Sequence, residues 1–163
     1  MRRALFCLLL LCGPALAAGT PAPQPVLPGM IAPDFNRPDF NGKPVNLSAY
    51  RGQVVLLDFW ASWCAPCIEE TPHLIALQKA NAGKLQIIGV SMDDEEKAAR
   101  AMGKKFAFNY PLLMGDVAFA KIYGGVLGLP QIFLIGRDGK VIKSWRGEMK
   151  PGELDSAVKA ALS

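Results

Sequence analysis

Cys64 and Cys67 are separated by Ala65-Pro66 and preceded by Trp63. Two cysteines at this spacing can close a small disulfide ring, or can both turn toward a bound ion. The flanking stretches decide between these. Val54-Val55-Leu56-Leu57-Asp58-Phe59-Trp60 comes just before them. A nearly continuous apolar run of this length is the pattern of a strand buried on both faces. Ile68 to about Ala80 reads as a helix. A helix start leaves backbone N–H groups without partners, and its dipole favours negative charge. A cysteine placed there is drawn toward the thiolate, the nucleophilic form. Cys64 is therefore expected at the helix N-terminus as the attacking sulfur. Cys67, one turn further in and less exposed, is expected to resolve the mixed disulfide. That is thiol–disulfide exchange. Structural zinc usually takes four ligands. Beyond this pair the chain has only His73 and two cysteines, Cys7 and Cys12, near its start. Redox chemistry is the stronger reading.

Asp58 stands inside the apolar run with six apolar neighbours. Burying a carboxylate without a partner is costly, so its pKa is expected to rise. A carboxyl poised near neutrality behind Cys67 can take that thiol's proton as Cys67 becomes the attacking group. The plainer alternative is a strand-end aspartate facing water. By alternation Trp60 belongs to the core, whereas Trp63 borders the reactive sulfur and offers a contact surface. His73 reads as a polar helix position. Met92, Met102, Met114 and Met149 are scattered and read as core or surface, not as a copper site.

The elements that must position these groups follow along the chain, which has 163 residues and reads as one domain. Met1-Arg2-Arg3, the apolar run Ala4 to Leu11 and Ala15-Leu16-Ala17 form the pattern of a secretory leader cleaved near Ala17. The apolar run is too short to span a bilayer. Acylation at Cys12 is disfavoured because Leu11 is not small. Removing residues 1–17 takes away Arg2, Arg3, Cys7 and Cys12, and lowers the net charge from +4 to +2. Export would place the remaining pair in an oxidising compartment. The small charge, with no basic stripe, argues against nucleic acid.

Residues 18–29 are proline-rich and read as a tether that adds nothing to a core; residues 30–163 form the domain. Asp34-Phe35 and Phe40 to Leu47 are expected as short strands around the turn Asn41-Gly42. Leu85 to Met92 reads as a second buried strand. Asp93-Asp94-Glu95-Glu96 reads as the acidic start of a helix reaching Phe106. Asn109 to Leu113 is a short strand, and Val117 to Tyr123 a short helix. Gln131–Ile135 and Val141–Trp145 flank a second hairpin turn, Asp138-Gly139. Pro151 to Leu162 is a final amphipathic helix. Strand–helix–strand–helix followed by a hairpin and a helix predicts a mixed α/β sheet.

The run Leu57 to Cys67, with Pro72 beyond it, resembles the active site of the thioredoxin fold. Gly128-Leu129-Pro130 is similar to the loop whose proline is cis in that fold and faces the cysteine pair. The opening Gly29-Met30-Ile31-Ala32-Pro33-Asp34-Phe35, with Leu47-Ser48-Ala49-Tyr50-Arg51-Gly52, resembles the exported TlpA/ResA-type branch, which shares this extension with peroxiredoxins. The resemblance covers about residues 29–160. It implies a central mixed sheet flanked by helices, an N-terminal β-hairpin extension and a strand–helix insertion over 93–125. It also implies an exported thiol–disulfide oxidoreductase that needs no cofactor and no metal. Its substrate would be a protein disulfide, reduced for cytochrome c maturation or copper-site assembly, with a membrane thiol donor behind it. Trp63, Ala65, Pro66, Leu129 and Pro130 would form the substrate surface, Leu129 through its main chain. Members of the branch often carry a glutamate just after the strand equivalent to Leu85–Met92; Asp94 is nearest by counting, with Asp93 and Glu95 beside it. Gln131 departs from the Thr that many members carry after the cis-proline.

Two other classes compete. A thiol peroxidase would share the N-terminal stretch, but such sites usually carry Thr or Ser three residues before the reactive cysteine, and here that residue is Ala61. A Cu(I) chaperone could use Cys64 and Cys67, since thiolates suit a soft ion; a third ligand would have to come from His73 or a methionine.

Overall fold

The computed structural model describes residues 24–163. The expected leader, Cys7, Cys12 and the first part of the expected tether lie outside the described residues. The chain builds a five-stranded mixed sheet around β3 (Val54–Trp60), all seven of whose residues are buried. β4 (Leu85–Ser91) lies parallel to β3 on one side, and β6 (Gln131–Ile135) antiparallel on the other. β5 (Leu112–Met114) extends the sheet beyond β4, and β7 (Val141–Arg146) beyond β6. The order is β5-β4-β3-β6-β7. A separate antiparallel pair, β1 (Asn36–Pro38) and β2 (Pro44–Asn46), forms the N-terminal hairpin.

Strand alternation sorts the side chains of β3 into two layers. Val54, Leu56 and Trp60 pack with Leu74 and Leu77 of α1 (Ala65–Ala80) and with Leu154 and Val158 of α4 (Glu153–Leu162). Ala99 of α2 (Glu96–Phe106) joins the same layer. Val55, Leu57 and Phe59 pack on the opposite face with Phe119 of α3 (Val117–Ile122), Tyr123, Leu47 and Phe35. Phe59, Phe119, Tyr123 and Phe133 meet there with ring centroids 5.3 to 6.0 Å apart. Each fully buried side chain of this kind contributes about 1.5–3 kcal/mol. Both layers therefore clamp β3 from its two faces, and its C-terminal end is a fixed platform. Among the described residues, no helix is long and apolar enough to cross a membrane.

Several boundaries differ from the sequence expectation, each for a local reason. The first hairpin pairs Asn36–Pro38 with Pro44–Asn46, because Asp39 accepts backbone N–H groups of Asn41 and Lys43 and so closes the turn earlier. Helix α1 starts at Ala65 instead of Ile68: Pro66 falls in its first turn, where a missing N–H costs nothing. Helix α2 starts at Glu96, because Asp93 turns inward. Strand β5 starts at Leu112, since Pro111 has no N–H to give a ladder. Helix α4 starts at Glu153, after Gly152 at φ 76°. Val26, in the stretch expected as tether, is buried against the second layer, and Gly29 donates to the Val141 carbonyl.

Candidate active site

Cys64 and Cys67 are joined by a disulfide, with sulfurs 2.06 Å and Cα atoms 5.3 Å apart. Cys64 is the N-cap of α1, in extended backbone, and its Sγ accepts the Cys67 N–H at 3.3 Å. Its sulfur therefore occupies the place where a capping oxygen usually stands, at the positive end of the helix. Cys67 lies inside the first turn, its carbonyl accepting the Thr71 hydroxyl at 2.9 Å. The two cysteines are almost equally covered, 5% and 4% exposed. Cys67 is thus not the more buried of the two by any useful margin, and what distinguishes the pair is that Cys64 is the cap. Trp63, 69% exposed, stands beside them.

The loop before β6 leaves the same edge of the sheet. β6 runs antiparallel to β3 and begins opposite its end, with Gln131 paired to Phe59. The Leu129–Pro130 peptide is cis, and the Pro130 carbonyl accepts the Gly147 N–H at 2.7 Å. Leu129 is half-buried and packs against both apolar layers. Gln131 is buried, and its side-chain oxygen has no partner among the described residues.

Beneath this edge lies Asp58, 5% exposed and on the same face of β3 as Leu56 and Trp60, the face that carries the cysteines. Burial, and then the nearby charge of Glu70, push its carboxyl up to about 7. Glu70 itself belongs to a chain of charges. His73 Nδ1 lies 2.7 Å from Glu70 Oε1, and Nε2 lies 3.0 Å from Asp155 Oδ1, joining α1 to α4. Burial pulls the His73 pKa down, but its bonds to Asp155 and Glu70 outweigh this and raise it. His73, one of the candidates for a third copper ligand, is thus engaged by two carboxylates.

The acidic residue brought to the cysteine turn is Asp93. Its carboxylate accepts the Ser62 N–H at 3.0 Å, the Ser62 hydroxyl at 2.6 Å and the Ser91 hydroxyl at 2.7 Å. It fixes the loop that leads from β3 into Cys64. Asp94 is exposed, one residue further on. Sequence reasoning placed the acidic group by counting and missed Ser62 and Ser91. The signal available was a serine two residues before an aspartate at a strand end, a pattern suited to local side-chain turns. Glu70 was missed too; its spacing of three from His73 on one helix face was the available signal.

Residues 27–162 match the model of the redoxin family. The chain is 34% identical over 135 residues to the thiol-disulfide oxidoreductase ResA of Bacillus thuringiensis subsp. konkukian, covering 80% of this chain and 76% of that protein. It is 32% identical over 130 residues to the thioredoxin-like protein YneN of Bacillus subtilis, covering 78% and 76%. Among solved structures, a protein from Chlorobium tepidum assigned as the thiol:disulfide interchange protein DsbE is similar, with a TM-score of 0.75 and 34% identity. That match covers 85% of this chain and 99% of the other. The helix-capping cysteine pair, the cis-proline loop and the mixed sheet agree with these likenesses, and the chain belongs to the redoxin family as a thiol-disulfide oxidoreductase of thioredoxin fold.

Proposed function

We propose that this oxidoreductase works as an exported reductant of protein disulfides. In its reduced form the Cys64 thiolate attacks one sulfur of a partner disulfide. A Cys64–partner disulfide forms, and the partner's other sulfur leaves as a thiolate and takes a proton from water. The Cys67 thiol gives its proton to the Asp58 carboxylate. Its sulfur then attacks Cys64 Sγ, closing the Cys64–Cys67 disulfide; the partner's second sulfur leaves as a thiolate and takes a proton from water, so the partner is released as a dithiol. Two electrons pass to the partner, and an external thiol donor, taken to be a membrane protein, must return them. Trp63, Ala65, Pro66, Leu129 and Pro130 provide the surface on which the partner lies. Removal of residues 1–17 on export fits the leader pattern, and cytochrome c maturation or copper-site assembly fits the family likeness.

The observation that carries the reductive direction is the N-cap itself. The Cys67 N–H donates to Cys64 Sγ, and the residues between the cysteines, Ala65 and Pro66, bring no side-chain donor. The thiolate rests on the helix start, so the reduced form is stabilised only moderately. Less stabilisation of the dithiol lowers the reduction potential, with about 30 mV corresponding to about 1.4 kcal/mol for a two-electron couple. Equilibration with glutathione or dithiothreitol buffers tests this. The expected potential lies nearer to about −270 mV, the thioredoxin value, than to about −120 mV, the value of a strong oxidant. A value at the oxidant end would make the protein a disulfide-forming one.

A further inference from the structure

Two of the buried side-chain atoms without a hydrogen-bond partner lie on one face of the sheet, around one residue. These are the Tyr110 hydroxyl and the Trp60 indole Nε1. Tyr110 is 7% exposed and Trp60 1%. A buried polar group left unpaired is costly, so each such group calls for an explanation. The residue between them is Gly89. A Cβ built there would lie 3.2 Å from Trp60 Nε1, 3.4 Å from Tyr110 Cε2 and 2.7 Å from Leu112 Cδ2. Any side chain at this position would displace the Leu112 methyl group, press on the indole and touch the phenol ring. Gly89 is also the cross-strand partner of Asp58 in the β3–β4 register. In a parallel pair such neighbours stand about 4.8 Å apart and point to the same face. The missing side chain at Gly89 thus lets two polar donors close in beside a buried carboxyl.

That carboxyl accepts no hydrogen bond among the described residues, and its acidity is set by burial and by Glu70. Tyr110 responds to it in turn: burial raises the phenol's pKa, and the charges of Asp58 and Glu70 raise it further. Donor groups without acceptors and an acceptor without donors share one face of the sheet, around the Asp58–Gly89 pair, and one electrostatic environment.

The geometry points to Tyr110 as a positioning residue for the proton acceptor: its hydroxyl, together with the Trp60 indole N–H, donates through an internal water to the Asp58 carboxylate. This rests on the reading of Asp58 as the group that takes the Cys67 proton. The arrangement steadies the carboxylate before transfer and leaves the protonated acid a polar contact after it. An internal water needs two to four polar partners, and the phenol, the indole and the carboxyl supply three. The titratable groups acting with Asp58 in the oxidised protein are Glu70 from α1 and Tyr110 from the segment before β5; Cys67 is held in the disulfide. β4, β6 and α4 present Ile87, Ile132, Leu154 and Val158 to this layer, all apolar. His73 and Asp155 stand beyond Glu70.

The test is a carbon-13 titration of the Asp58 carboxyl in the oxidised protein, run beside the pH profile of mixed-disulfide release. Tyr110→Phe keeps the ring and removes only the hydroxyl. The variant's midpoint is expected about one pH unit above the parent's, because a lost donor favours the protonated acid. The release profile should shift with it, while mixed-disulfide formation stays unchanged. A fluorinated tyrosine at Tyr110, a stronger donor, should move the midpoint down. An Asp58 midpoint that is the same in parent and Tyr110→Phe overturns the inference. Asp58→Asn separates the two readings. If release keeps its pH dependence without the carboxyl, Asp58 is not the acceptor, and the titration alone then judges the hydrogen bond.

Discussion

Asp58→Asn should stabilise the oxidised protein, and by an amount that grows with pH. The Asp58 carboxyl is raised from 3.8 to about 7, first by burial and then by Glu70. In the unfolded chain it titrates at its ordinary value. Between these two values the folded protein holds the proton while the unfolded chain has lost it. Stability therefore falls as pH rises through this window. Below about pH 4 both states are protonated and no penalty remains; above about 7 the penalty is complete. The interval is about three pH units at about 1.4 kcal/mol each, or about 4 kcal/mol in all. An amide of the same shape carries no such charge. Its own burial cost is independent of pH, so the readout is the pH-dependent part of the difference. Urea unfolding of parent and variant from pH 4 to 8.5 measures it. With a slope of about 1–3 kcal/mol per molar, the midpoints should separate by more than about 1 M between the two ends. All other titrating groups are common to both proteins and cancel. Curves that stay parallel across the range would refute the burial argument, and with it the idea that this carboxyl waits near neutrality for a proton.

Asp93→Ala should cost about 1–3 kcal/mol in stability, because it leaves the Ser62 N–H and the Ser62 and Ser91 hydroxyls without their acceptor; denaturant unfolding at neutral pH checks it, and a loss below about 0.5 kcal/mol would mean the loop holds itself. His73→Gln should cost less than about 1 kcal/mol, since its ion pairs with Glu70 and Asp155 are partly exposed. Its raised folded-state pKa puts that stability below about pH 6.5, the ordinary histidine value, and removes it as pH rises through the higher folded-state value. Thermal unfolding at pH 5.5 and 8.5 reads the difference, and an equal effect at both pH values would contradict the ion pairs. N-terminal sequencing of exported protein should begin near Ala18, and a mature chain beginning at Met1 would remove the leader.

The parts of this molecule legible in its sequence are those where one physical demand acts alone. Val54–Trp60 is apolar at every position but Asp58 because both of its faces are covered, and the run could be read without any partner in view. Asn41-Gly42 and Asp138-Gly139 mark turns where Gly42 and Gly139 take φ near +80°, a requirement local to the backbone. The cysteine pair was legible because its spacing and the strand before it belong to one short stretch. What was not legible depends on partners far along the chain. Asp93 looked like part of an acidic helix start, but Ser62, 31 positions earlier, draws its carboxylate inward. His73 looked like a plain polar position until Asp155, 82 positions later, came within 3.0 Å. Gly89 gave no signal at all; its place depends on Trp60 of β3 and Tyr110 of the segment before β5 both reaching it. Element ends shifted where a side chain competed with the backbone, as Asp39 does in the first turn, or where a proline or glycine set the backbone, as Pro66, Pro111 and Gly152 do.

The central claim is that Cys64, at the cap of α1, is the sulfur that attacks and Cys67 the sulfur that resolves. Cys67→Ser, mixed with a disulfide-bonded peptide and analysed by mass spectrometry after proteolysis, tests it most directly. The account predicts a stable adduct in which the peptide is joined to Cys64, and little or no adduct with Cys64→Ser under the same conditions. A stable adduct through Cys67 in Cys64→Ser, formed as fast as or faster than the one through Cys64, would contradict it.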